Sequence, residues 1–147
     1  MSREYRWLFV AVAGIVLACT RIDIVEKDFS DAAALRAEGV VSRGWISDAL
    51  PLKAQKIKLR TNVDTNEVWA KFVAPPDAVD AIMRSCPRVE IQTIDLPRTS
   101  AGIWWPDYLI ATDFARERAR FFRCADGGVF AASTSDTFVY FWRQPTK

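Results

Sequence analysis

At 147 residues, half of them apolar and about a quarter charged, the chain has a globular composition with room for one domain and a real core. Its formal charge of +2 is nearer zero once residues 1–18 are set aside, so no electrostatic trap for nucleic acid is present, since such binding rests on neutralised phosphates. Histidine is absent, which excludes Ser-His-Asp and Cys-His nucleophile pairs, histidine-ligated zinc and histidine general bases.

The N-terminus is built as an address. MSREYR supplies basic residues, and Trp7 to Leu17 follows as an uncharged, mostly apolar run. That run is too short to span a bilayer comfortably, for which about 20 residues are needed. It has the length of a signal-peptide core. The ending Val16-Leu17-Ala18-Cys19 resembles the bacterial lipobox, in which a small residue precedes a cysteine that is lipidated on its thiol and becomes the mature N-terminus. The resemblance implies a signal peptide over 1–18, a diacylglyceryl-modified Cys19, and a periplasm-facing protein tethered to the membrane through lipid. Thr20, rather than Asp, after the cysteine resembles lipoproteins sent on to the outer membrane. A cleaved ordinary signal peptide and an uncleaved anchor helix are the competing readings.

Residues 19–28 read as the lipidated N-terminus and a polar tether, and 29–147 as a single domain. A short helix is predicted over about 31–38, with Asp28 or Ser30 as its cap, Leu35 inward, and Gly39 ending it in a left-handed conformation. Gly44-Trp45 places a glycine before a ring that wants burial. In Lys56 to Arg60, Ile57 and Leu59 alternate with basic residues as in a half-buried strand. Asn62-Val63-Asp64-Thr65-Asn66 is turn chemistry, and a second strand from Glu67 completes a hairpin.

Pro75-Pro76-Asp77 opens the clearest helix, about 76–86, with Val79, Ile82, Met83 and Cys86 on one stripe and Pro87 as the stop. Arg88 to Ile94 alternates as a third strand. Arg118 to Cys124, Val129 to Ser133 and Thr137 to Arg143 read as a closing antiparallel meander. In the last of these both alternating sets are apolar, which predicts a central strand covered on both sides. The fold class is therefore α+β: one five- or six-stranded, mainly antiparallel sheet with a main helix and a short N-terminal one.

The succession Arg43-Gly44-Trp45-Ile46, Leu50-Pro51, Asp64-Thr65-Asn66-Glu67, Trp104-Trp105-Pro106, Phe122-Arg123-Cys124 and Tyr140-Phe141-Trp142-Arg143 resembles a group of small bacterial secreted or lipid-anchored proteins of unknown function. Where that pattern has Gly-Trp-Ile-Pro, Ser47 stands here. The resemblance bears on fold and location, and implies no activity.

Candidate chemistry is sparse, and neither a cofactor nor a metal site is expected. Asn62, Asp64 and Asn66 occupy the first, third and fifth places of an EF-hand-like loop, but Glu67 and Val73 stand where glycine and the bidentate glutamate are required. Glu67 is also a candidate catalytic carboxylate, with Asp64, Asp107 or Asp113 as partner and no spacing to select one. Cys86 and Cys124 form either a disulfide or a pair of free thiols, with Cys86 on the apolar stripe. Arg116, Arg118, Arg120 and Arg123 make a basic cluster, read as a solvated face or an anion site. Trp104, Trp105 and Tyr108 are either a binding hot spot for a protein, a glycan or the membrane interface, or a loop folded back over the core.

These features predict a lipid-anchored envelope protein with a non-enzymatic interaction role and a protein partner. The alternatives are a periplasmic ligand-binding protein or carboxylate-based enzyme, and an inhibitor or immunity-type protein. A deep pocket lined by Glu67 and an aromatic wall would favour the ligand-binding or enzyme reading, and a flat sheet face bearing exposed Trp104 and Trp105 a protein partner.

Overall fold

The computed structural model describes residues 24–110 and 118–145. Among them a single antiparallel sheet of seven strands carries two α-helices. The strands are β1 (Ile24–Asp31), β2 (Gln55–Asn62), β3 (Glu67–Val73), β4 (Arg88–Val89), β5 (Ala119–Arg123), β6 (Val129–Ser133) and β7 (Phe138–Arg143). The helices are α1 (Ala32–Ala37) and α2 (Pro76–Ser85). Spatial order is β1-β2-β3-β7-β6-β5-β4, so β7 lies at the centre, as its two apolar faces require.

Each face has its own cover. On the first, Ile57 and Leu59 of β2, Val68, Ala70 and Phe72 of β3, Val139 and Phe141 of β7 and Phe130 of β6 pack with Leu35 of α1, Val79 and Ile82 of α2, and Val40, Ile46 and Leu50 from the segment between α1 and β2. On the second, Trp69, Tyr140, Trp142 and Phe121 pack with Trp105, Leu109 and Ala101 from the long connection after β4.

Local chemistry explains the element ends. Asp31, rather than Asp28 or Ser30, caps α1, its carboxylate accepting from the Ala34 N–H at 2.8 Å. That bond holds the Asp31 carboxyl below its ordinary range. Gly39 has φ of 72°, and the N–H groups of Gly39 and Val40 return to the carbonyls of Arg36 and Leu35, which is the Schellman closure glycine permits. The β2–β3 hairpin turns where the Asn62 side chain accepts from the Asp64 and Thr65 N–H groups, with Asn66 at φ 57°.

Other expectations are corrected as well. Residues 24–28 are not tether, because they pair with β2 from Ile24↔Asn62 onward and open the sheet. That strand, together with the two-residue β4, raises the count from five or six to seven. The third strand predicted over Arg88 to Ile94 reduces to Arg88–Val89, because Ile91–Thr93 turns into a 3-10 segment. Met83 lies outside the buried stripe of α2, which is Ala78, Val79 and Ile82, and is 41 % exposed. Cys86 is the residue that ends α2 rather than a member of it.

Cys86 and Cys124 are bridged, with Cα atoms 4.4 Å apart. The bridge fastens the end of α2 to the residue that follows β5, closing 38 positions of chain. By loop-closure entropy such a bridge contributes about 4 kcal/mol. Reduction with alkylation, or a Cys86→Ser/Cys124→Ser double change, will lower the free energy of urea unfolding by about 3–4 kcal/mol; a loss below about 1 kcal/mol would show that the connection is closed without it.

Candidate functional site

The side chains singled out in the sequence separate into two places. Trp105 is 3 % exposed, inserted edge-on between Tyr140 and Trp142 at ring separations of 5.6 and 6.1 Å. Trp104 is half-buried, 5.9 Å from Trp105, and its indole N–H donates to the Glu26 carboxylate at 3.2 Å. Tyr108 is half-buried against Tyr140 at 6.3 Å. The segment is strapped down by the Trp142 indole N–H to the Asp95 carbonyl at 3.0 Å, by Gln144 to the Leu96 carbonyl at 3.2 Å, and by Arg60 to the Ala101 carbonyl at 2.7 Å. The tandem tryptophans are therefore the lid of the second face, and no exposed hot spot is formed by Trp105.

Of the arginine cluster, Arg116 and the candidate carboxylate Asp113 lie outside the described residues, as does Cys19. Arg118 sits 5.8 Å over the Tyr108 ring and Arg123 donates to the Thr93 carbonyl, so these two serve the packing of the second face. No cluster of three potential metal-ligating side chains forms among the described residues. In the hairpin turn Asp64 and Asn66 are exposed, and Glu67 accepts from the Thr65 hydroxyl at 2.8 Å.

What the structure does assemble is a cleft of about 270 Å³ at one end of the first face. Its lining comprises Arg43, Gly44 and Trp45, the hairpin residues Asn62, Val63, Asn66 and Glu67, and Thr61, Val68 and Arg143. Strand register explains the convergence. Thr61 pairs with Val68, and Val68 with Arg143, so these three stand in one row across β2, β3 and β7. Thr61 continues the Ile57–Leu59 face, Val68 belongs to the first core, and Arg143 follows Val139 and Phe141 in alternation. The 43–45 turn closes over this row, with Gly44 at φ 71° and Trp45 packed against the core.

Charge and hydrogen bonding in the cleft are incompletely satisfied. The Arg43 guanidinium stacks 4.5 Å over the Trp45 ring and donates to the Glu38 carbonyl at 2.9 Å. Arg143 makes no side-chain hydrogen bond or ion pair among the described residues. Thr61 is 3 % exposed, and its hydroxyl has no partner there either. Sequence reading quoted Arg43, Trp45, Glu67 and Arg143 as separate motifs and did not join them. The missing signal was the register, which follows from β7 inserting beside β3 rather than after β6 alone.

Against known proteins, residues 23–73 match the model of the YbbD head domain. The match covers about a third of the chain, from the start of β1 to the end of β3, and contains every lining residue of the cleft except Arg143. No curated protein and no solved structure matches the chain.

Two consequences can be measured. Trp105→Ala will cost about 3–5 kcal/mol, as large aromatic truncations in cores do, whereas Trp104→Ala will cost well under half of that; equal, small losses in urea unfolding would mean the lid is not packed. Burial, then the Asp136 charge, pushes the Tyr108 hydroxyl above its usual range, and burial, then the Tyr108 charge, does the same to Tyr140. Because both folded-state values are raised, their contribution is intact below the unfolded tyrosine value of about 10 and is lost as pH climbs from there toward the folded ones. Urea midpoints will thus fall as pH rises from about 9 to 11, and Tyr140→Phe will flatten the fall; an unchanged slope in that variant would contradict the assignment.

Proposed function

We propose that the chain is an exported bacterial lipoprotein, acylated at Cys19, held at the periplasmic side of the cell envelope with outer-membrane sorting, and serving a non-enzymatic, ligand-binding role through the Arg43–Trp45–Thr61–Arg143 cleft. The observation that carries the location is the Cys86–Cys124 bridge, since such pairs persist in oxidising compartments and are rare in the cytosol. It agrees with an N-terminal pattern that ends in Ala18-Cys19.

The cleft favours a ligand over a protein docked on the tryptophan loop. It has Glu67 in its lining and an aromatic wall, supplied by Trp45, while Trp105 is committed to the second face. Catalysis by paired carboxylates finds less support: Glu67 is the carboxylate that lines the cleft, and the candidates Asp64 and Asp107 do not. No helix among the described residues is long and apolar enough to cross a membrane, so attachment in this reading rests on the acylated cysteine. An inhibitor or immunity-type role remains the second reading, in which the same cleft receives a protein side chain.

The anchor is tested by Cys19→Ser in the producing bacterium. Palmitate labelling will disappear and the chain will leave the membrane fraction; labelling that persists in the variant would refute the anchor.

A further inference from the structure

The cleft lies at the end of the sheet where the chain enters it. Ile24, the first residue of β1, pairs with Asn62 on the cleft wall. Five residue steps separate Cys19 from Ile24, a reach of at most about 18 Å when fully extended. On the anchor reading given above, on which this inference rests, the cleft is therefore held close to the headgroups. Two exposed apolar side chains, Ile24 at 41 % and Val63 at 48 %, border the same end.

The lining has the chemistry of that surroundings. Arg43 and Arg143 against Glu67 leave one positive charge, which matches the single negative charge of a phosphodiester. Guanidinium groups present planar donor forks suited to phosphate oxygens. Beneath them the Thr61 hydroxyl is buried with nothing in the described chain to receive its proton, an arrangement that is destabilising unless a partner arrives. Arg143 likewise has no hydrogen-bond or ion-pair partner among the described residues, although it stands directly across from buried Val68.

We propose that this cleft seats the phosphate of a phospholipid headgroup from the leaflet that carries the anchor. Arg143 and the free donors of Arg43 hold the phosphate oxygens, the Thr61 hydroxyl donates from below, and Val63 and Ile24 rest against the interface. The acyl chain on Cys19 and the seated headgroup then act as two attachments, one covalent and one reversible, and fix the orientation of the sheet above the membrane.

The test uses the full acylated chain in dodecyl maltoside, which carries no phosphate, with phosphatidylglycerol or diacylglycerol of the same chains added and retention read by native mass spectrometry. Wild-type protein will keep phosphatidylglycerol and not diacylglycerol. Arg143→Gln and Thr61→Val will each reduce retention about tenfold, the loss of one charge-assisted hydrogen bond. Arg98→Gln, an equal change of charge at an exposed position outside the cleft, will not. Thr61→Val removes an unsatisfied buried hydroxyl, so its urea midpoint will stay level or rise, which separates lost binding from lost folding. Equal retention of the two lipids, or undiminished retention in both variants, would overturn the proposal. The denatured mass of the same sample reads the Cys19 acyl group independently: an acylated chain without phosphatidylglycerol defeats the headgroup site alone, and an unacylated chain that retains it defeats the anchor alone. Glycerophosphoglycerol added as competitor will displace the lipid if the phosphodiester is what is recognised; failure to displace at saturating concentration would overturn that recognition.

Discussion

The constraint on which the rest of the molecule depends is the two-sided burial of β7. Phe141 and Trp142 are adjacent in sequence, point to opposite faces, and are both fully buried. A strand of that composition cannot sit at an edge or leave one face to water, because each exposed face would return several large side chains to solvent at about 25 cal/mol per Å². The chain answers with two unlike covers. Helices and the segment after α1 take the first face, where aliphatic side chains mix with phenylalanines, and an irregular, tryptophan-bearing connection takes the second, rich in Trp and Tyr. The Cys86–Cys124 bridge fastens the first cover to the sheet, and indole and guanidinium donors fasten the second to it by backbone carbonyls.

The cleft follows from the same arrangement. The 43–45 turn closes the end of the first face, and there the inward row changes from apolar to polar on β2 and β7, where Leu59 gives way to Thr61 and Phe141 to Arg143, while Val68 of β3 stays apolar. Polar side chains on a core-facing row are costly unless something meets them. In most proteins a row that changes character this way has simply reached solvent. Here Thr61 is still buried, so on β2 the change falls inside the protein, while Arg143 on β7 is partly exposed.

Local chemistry was legible in the sequence where a residue type has one physical use. Gly39 in its left-handed cap, the Asn62–Asn66 turn, the strand from Glu67, and the buried centre at Phe138–Arg143 could all be read before any coordinates. The stripe of α2 was legible except at Met83, whose hydrophobicity says nothing about which side of a short helix it takes. Long-range pairing was not legible. Residues 24–28 carry alternating charges that read as tether, and become a strand because β2 offers them partners. The same holds for the candidate site, since Arg43 and Arg143 are a hundred positions apart and line one cleft because β7 pairs with β3, which no local pattern encodes. The two fates proposed for the cysteines were resolved by the geometry that brings their Cα atoms together.

At one side of the sheet β4 offers two residues, and at the other β1 carries Glu26, Lys27 and Asp28, with Lys27 paired to Glu38 and Asp28 to Lys58. Strand-by-strand growth between neighbouring molecules needs a long, uncharged margin with idle amide groups. Neither flank supplies one, so many copies can be crowded side by side without knitting into fibres.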